Sequence, residues 1–232
     1  MNNTQLKELL LQSLVHERGG VLVYQRALEC SVNSDLRQEW SKYLEQTRNH
    51  VRVLSKACAS LGIDPDEMTP GCRVVQHTGN ALVAAMQMAL AEGDPVAAER
   101  VACDCVLLAE TKDHADWELI KQCAANADEH TASVLREASE AVEEEEDEHL
   151  YHSQGWGREL WLKSLGLTAV LPPPEEKRDV KSASDAEAAR KSRESGESAR
   201  WAPSDRAENK PDFGLRSKAS VTGPGQQRRA SR

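Results

Sequence analysis

An all-α fold is expected from two observations. Apolar residues recur every three or four positions through four long segments, and a long irregular connection splits those segments into two pairs. The first helix, from about Thr4 to Cys30, carries Leu6, Leu10, Val21, Tyr24 and Leu28 on one face. Val32-Asn33-Ser34 interrupts it, and Asn33 or Ser34 can cap the next segment by accepting from its free amides. That second helix runs to about Leu61 through Trp40, Tyr43, Leu44, Val51, Leu54 and Cys58, with Gly62 placed to end it. So short a turn makes the two antiparallel neighbours. Residues 63–76 are too long and too rich in Pro, Gly and Asp for a tight hairpin, and a shorter helix follows from about Val74 to Ala91. Gly93-Asp94-Pro95 then stops one helix and starts another, with Asp94 as cap and Pro95 in the first turn. The third long helix continues to about Cys123 through Val106, Leu107, Trp117 and Ile120. The fourth spans about Asp128 to His152, turning Val134, Leu135, Ala138 and Val142 inward. Gly155 and Gly157 are expected to interrupt it before a final short helix around Trp156–Leu165. The sum is two antiparallel hairpins joined by a long crossover that carries a short extra helix.

Composition divides the chain at about Leu171. Residues 1–170 hold 15 basic and 28 acidic groups, a net of −13, while the remainder holds 14 and 10, a net of +4. A body that acidic repels phosphates, which argues against nucleic acid as its main partner. About 170 residues suffice for one good core. From Pro172-Pro173-Pro174 onward the chain is serine-rich with one Phe, one Trp and no apolar period, so a disordered tail over 171–232 is expected. Its ending, Gln-Gln-Arg-Arg-Ala-Ser-Arg, could contact an acidic protein partner or the body itself. The six cysteines have neither a Cys-x-x-Cys pair nor zinc-ligand spacing, which fits reduced structural thiols in a cytoplasmic protein. The first twenty residues lack a basic stretch followed by an apolar run, so no signal peptide is expected, and no stretch is apolar enough to span a membrane.

The informative residues are polar ones on apolar stripes. Glu17 sits between Ser13 and Val21 where a leucine is the usual choice, beside the mid-helix pair Gly19-Gly20. Two such glycines cost about 1 kcal/mol each relative to alanine, so they call for a close helix approach or a small ligand. His50 falls with Thr47, Val51 and Leu54, and Glu110 with Val106, Asp113 and Trp117, with His114 one turn on. On the fourth helix Glu143–Glu148 is a run of six acids, which weakens a helix. Glu146–His149, or Glu145–His149, nonetheless continues the inward stripe at chelating spacing. A lone buried carboxylate is expensive, and several that converge point to a cation. Carboxylate and imidazole donors suit iron, manganese or zinc.

Together, Glu17 on the first helix, Glu110 on the third and Glu146-x-x-His149 on the fourth make the chain resemble the ferritin-like superfamily over about residues 5–152. The second helix departs from that pattern, because Arg48 stands where a His three residues after Glu45 is expected; His50 is the substitute. The resemblance implies a ferritin-like four-helix bundle with a di-iron or di-manganese centre. Its metal ligands would be Glu17, His50, Glu110, Glu146 and His149, with Tyr24, Tyr151 or His152 just behind them. It further implies an oxidoreductase acting on ferrous ion or on a small inorganic substrate such as dioxygen or peroxide. Homo-oligomerisation stays open. The alternative is a metal-free helical-bundle adaptor that uses its acidic body and basic tail as binding surfaces.

Overall fold

The computed structural model describes residues 1–195, which form eight α-helices and no strand. Helix α1 (Asn3–Cys30) ends in an extended residue, and Asn33 caps α2 (Ser34–Ser60) by accepting from the amides of Asp35 and Leu36. Gly62, with φ of +70°, ends that helix in the left-handed conformation. Thr69 caps α3 (Pro70–Ala91), which begins four residues earlier than its apolar spacing indicates. Asp94 caps α4 (Pro95–Ala124), as expected.

The fourth segment differs from the expectation in three ways. It breaks at Ala141-Val142 into α5 (Glu129–Glu140) and α6 (Glu143–Ser164). The break places Glu143, Glu144, Glu145 and Glu146 in the first turn of α6, where the helix dipole favours negative charge instead of letting it accumulate mid-helix. Next, α6 runs through Gly155 and Gly157 without interruption. Gly155 is there for contact rather than for bending: a Cβ at this position would lie 2.6 Å from Glu175 Oε2 and 2.9 Å from Pro173 Cβ. What it admits is the third difference. Residues 171–195, expected as the start of the disordered tail, form α7 (Pro174–Lys177) and α8 (Ala183–Glu194) and pack on the body. Arg158 pairs with Glu175 at 2.8 Å, Arg193 with the fully buried Glu159 at 3.0 Å, and Val180 and Ala189 are buried. Few apolar side chains are needed because paired charges supply the anchoring, a feature that hydrophobic periodicity does not register. The rest of the expected tail, 196–232, lies outside the described residues.

Helix α1 packs on α2, α3 and α4; α4 packs on α5 and α6; and α2 reaches both α5 and α6, closing a ring. Gly20 allows α1 to approach α2, since a Cβ there would sit 3.2 Å from Thr47 Cγ2. Two apolar clusters fill the ring. One contains Val23, Tyr24, Leu36, Trp40, Tyr43, Val106 and Trp156; the other contains Leu10, Leu14, Leu54, Trp117, Ile120 and Leu135. On α1, α2 and α4 the two clusters fall on either side of Glu17, His50 and Glu110–Asp113, and Val142 and Trp156 flank Glu146–His149 in the same way. The fold is therefore an apolar interior cut by one polar layer. Among the described residues no helix is long and apolar enough to cross a membrane.

Candidate metal centre

Glu17, His50, Asp113 and Glu146, from α1, α2, α4 and α6, each place a donor atom so that all four lie within 4.8 Å of one another. All are buried. His50 Nδ1 approaches Glu146 Oε1 at 2.7 Å and Glu17 Oε1 at 3.5 Å, yet His50 Nδ1 and both Glu146 oxygens lack a partner aligned for hydrogen bonding. Alongside, His149 Nδ1 lies 3.4 Å from Glu110 Oε2, and the rings of His50 and His149 stack with centroids 5.6 Å apart. The structure thus brings together all five residues singled out from the sequence, in two adjacent groups. It adds Asp113, three residues after Glu110 on the face shared with Trp117, repeating the spacing of Glu146 and His149.

Most members of the layer follow one pattern, with one atom anchored and one left free. Trp117 Nε1 donates to Glu17 Oε1 at 2.8 Å, leaving Oε2 unpartnered. The Tyr24 hydroxyl donates to Glu110 Oε1 at 2.8 Å, again leaving Oε2. His50 Nε2 is held by Glu145 Oε2 at 2.7 Å and His149 Nε2 by Gln46 Oε1 at 3.0 Å, leaving both Nδ1 atoms. Donation from Nε2 orients each ring so that its Nδ1 faces the carboxylates of the layer, Glu146 and Glu17 for His50 and Glu110 for His149. Seven of the ten unpartnered buried side-chain polar atoms among the described residues belong to these six side chains. Buried polar atoms are normally satisfied, so this concentration marks a place built for something else.

The protonation states agree. Burial, then Glu146, Glu17 and Glu110, push the Asp113 carboxyl well above the usual carboxylate range. Burial raises Glu146 to about 7, against the pull of His50 and with the help of Glu17. Burial disfavours the His50 imidazolium, but Glu145, Glu146 and Glu17 outweigh it and hold its pKa well above the ordinary value. Burial likewise opposes ionisation of Glu110, but His149 and Tyr24 keep it below its ordinary value. The layer balances its carboxylates with protons, which a cation can replace.

Several neighbours have other duties. Glu145 orients His50 from the second row and is one-third exposed. Glu45 and Arg48 pair with each other on the outer face of α2. His114 turns away to Asp147 at 2.8 Å, and Tyr151 packs against its ring. His152 joins a separate group with Glu39 and Glu148, bonded to the Tyr43 hydroxyl at 2.9 Å. There the ammonium of Lys42 contacts Glu148 and lies 3.9 Å from Glu39, so that group already holds its cation. All six cysteines are free, and burial pushes the thiols of Cys30, Cys58 and Cys105 up to about 11, so these three are not ready thiolate ligands. In comparisons with known proteins, the chain matches no family model, no curated protein and no solved structure.

Proposed function

We propose that this chain is a ferritin-like metal-binding protein with a two-metal centre of iron or manganese, and that it is an oxidoreductase acting on ferrous ion, dioxygen or peroxide. Glu17, His50, Asp113 and Glu146 would hold one ion; Glu110 Oε2 and His149 Nδ1 would serve the second. The observation that carries the reading is the set of unpartnered oxygens and imidazole nitrogens from four helices, facing one another in a layer sealed above and below by apolar side chains. Donors of oxygen and imidazole nitrogen, with no thiolate, favour iron and manganese over softer metals. When bound, such an ion supplies electron exchange with the small oxidant or with ferrous ion as substrate.

The chain's own residues do the rest. Tyr24, Trp117, Gln46 and Glu145 fix the orientation of Glu110, Glu17, His149 and His50 before any ligand arrives, so little ordering entropy remains to be lost on binding. Asp113, Glu146 and His50 hold protons that leave when a cation enters. The two apolar clusters exclude bulk water and strengthen every charge interaction in the layer. Anaerobic titration of the metal-free protein with ferrous ion, followed by air, tests the reading. Saturable binding and an absorbance change on oxygenation are expected; no binding at any ratio would contradict it.

A further inference from the structure

Among the described residues, a cleft leads from the surface to this layer. It has a volume of about 500 Å³ and lies between α4, the α5–α6 break and residues 182–183. Trp117, the side chain that anchors Glu17, is part of its wall, and Glu146 lines it directly. Glu146 is 2% exposed and neither carboxylate oxygen has an aligned hydrogen bond, although Oε1 lies 2.7 Å from His50 Nδ1, so the cleft ends on a buried carboxylate with acceptor capacity to spare. Around it stand Glu118, Glu143 and Asp147, giving four carboxylates against Lys121 and His114. Lys121 pairs with Glu143 and His114 with Asp147, which leaves the lining net negative.

A second cavity of about 450 Å³ lies between α1, α3 and α4 and has a different lining. Its walls are largely apolar, with Val23, Val75 and Leu82, and its polar side chains are Gln12, His16, Thr78 and Lys112, with no carboxylate. A cation there finds no carboxylate to attract it and meets the like charge of Lys112. The acidic cleft instead presents four carboxylates. An ion with six waters, at about 30 Å³ each, occupies roughly 180 Å³ and enters it with its hydration shell intact.

We propose that the acidic cleft is the route by which a hydrated divalent cation reaches Glu146 and the polar layer; this rests on the metal-binding function proposed above. The negative lining concentrates cations from solution, Glu146 is the first buried ligand encountered, and the shell is exchanged for carboxylate oxygens at that point. Residues 182–183, placed by the C-terminal segment, form one side of the opening.

Stopped-flow loading of the metal-free full-length chain with cobalt(II), read by its visible absorption, tests this. The double variant Glu118→Gln/Asp147→Asn should load about tenfold more slowly at low salt, with the difference fading as ionic strength rises. Ala183→Trp narrows the opening without touching a ligand. It should slow both loading and chelator-driven release by a similar factor and leave the equilibrium affinity unchanged, the signature of an obstructed route. Val75→Trp in the apolar cavity should do neither. Wild-type loading rates in both cleft variants, with cobalt still bound at equilibrium, would overturn the route and leave the metal site standing. Slowed loading in Val75→Trp alone would assign the route to the other cavity. Absence of cobalt binding in the wild type would remove both proposals.

Discussion

Glu146→Gln should stabilise the metal-free protein while abolishing its gain from metal. The structure holds this carboxyl at about 7 instead of 4.5, a difference worth about 3 kcal/mol once the group is forced to ionise. The folded pKa is raised, so the native state binds more protons than the unfolded chain between pH 4.5 and 7. Stability therefore falls as pH rises through that window, and the full penalty applies above it. Glutamine matches the shape without the charge and loses about 1 kcal/mol through an imperfectly paired amide. The net gain at pH 8 is about 2 kcal/mol, or roughly 4–8 °C in melting temperature for a domain of this size. At pH 4.5, where the native carboxyl is already protonated, the gain should vanish. Thermal unfolding at both pH values, with chelator and with excess manganese, gives the comparison. Wild type should gain stability from manganese and the variant should not. Equal destabilisation of the variant at both pH values, with the manganese response intact, would refute the reasoning, because Glu146 would then be an ordinary packing residue.

Three further outcomes follow. Metal affinity should rise steeply with pH around 7 and binding should release protons, since Asp113, Glu146 and His50 must give theirs up; calorimetry in buffers of different ionisation enthalpy measures the number. Tyr24→Phe and Gln46→Leu, which remove only the anchors of Glu110 and His149, should each weaken metal binding about 10–100-fold, measured by competition with a chromophoric chelator. Gly155→Ala should dislodge Pro173 and Glu175 from α6, so trypsin should cut at Lys177 or Arg178 about tenfold faster than in wild type, whereas Gly157→Ala, whose Cβ meets nothing within 4 Å, should leave cleavage unchanged.

The long helices and their caps were legible because Asn33, Gly62 and Asp94 act locally, through their own side chains or backbone angles. Glu17, His50, Glu110, Glu146 and His149 were legible as polar interruptions of apolar stripes, a signal that survives without knowing the neighbours. Asp113 shares the face of Glu110 and Trp117 and carried the same signal, but its place beside Glu17, His50 and Glu146 depends on three other helices and is not encoded along α4. The anchoring roles of Trp117, Gln46 and Glu145 depend on contacts across 95 or more residues, which periodicity along one helix does not encode. Glycine misled at Gly155, where a requirement for space was taken as a helix stop. The order of residues 171–195 escaped because buried ion pairs, with Glu159 at their centre, replace the apolar pattern that announces a folded segment.

The central claim is that these donors hold a metal, and its most direct test is elemental analysis of the purified full-length chain after supplementation with iron or manganese. The account expects about one to two equivalents in wild type, a marked loss in Glu146→Ala and in His149→Ala, and no loss in Glu144→Ala, whose side chain is exposed near Lys181. Wild type with no more than a trace of metal, or the same content in all four proteins, would contradict it.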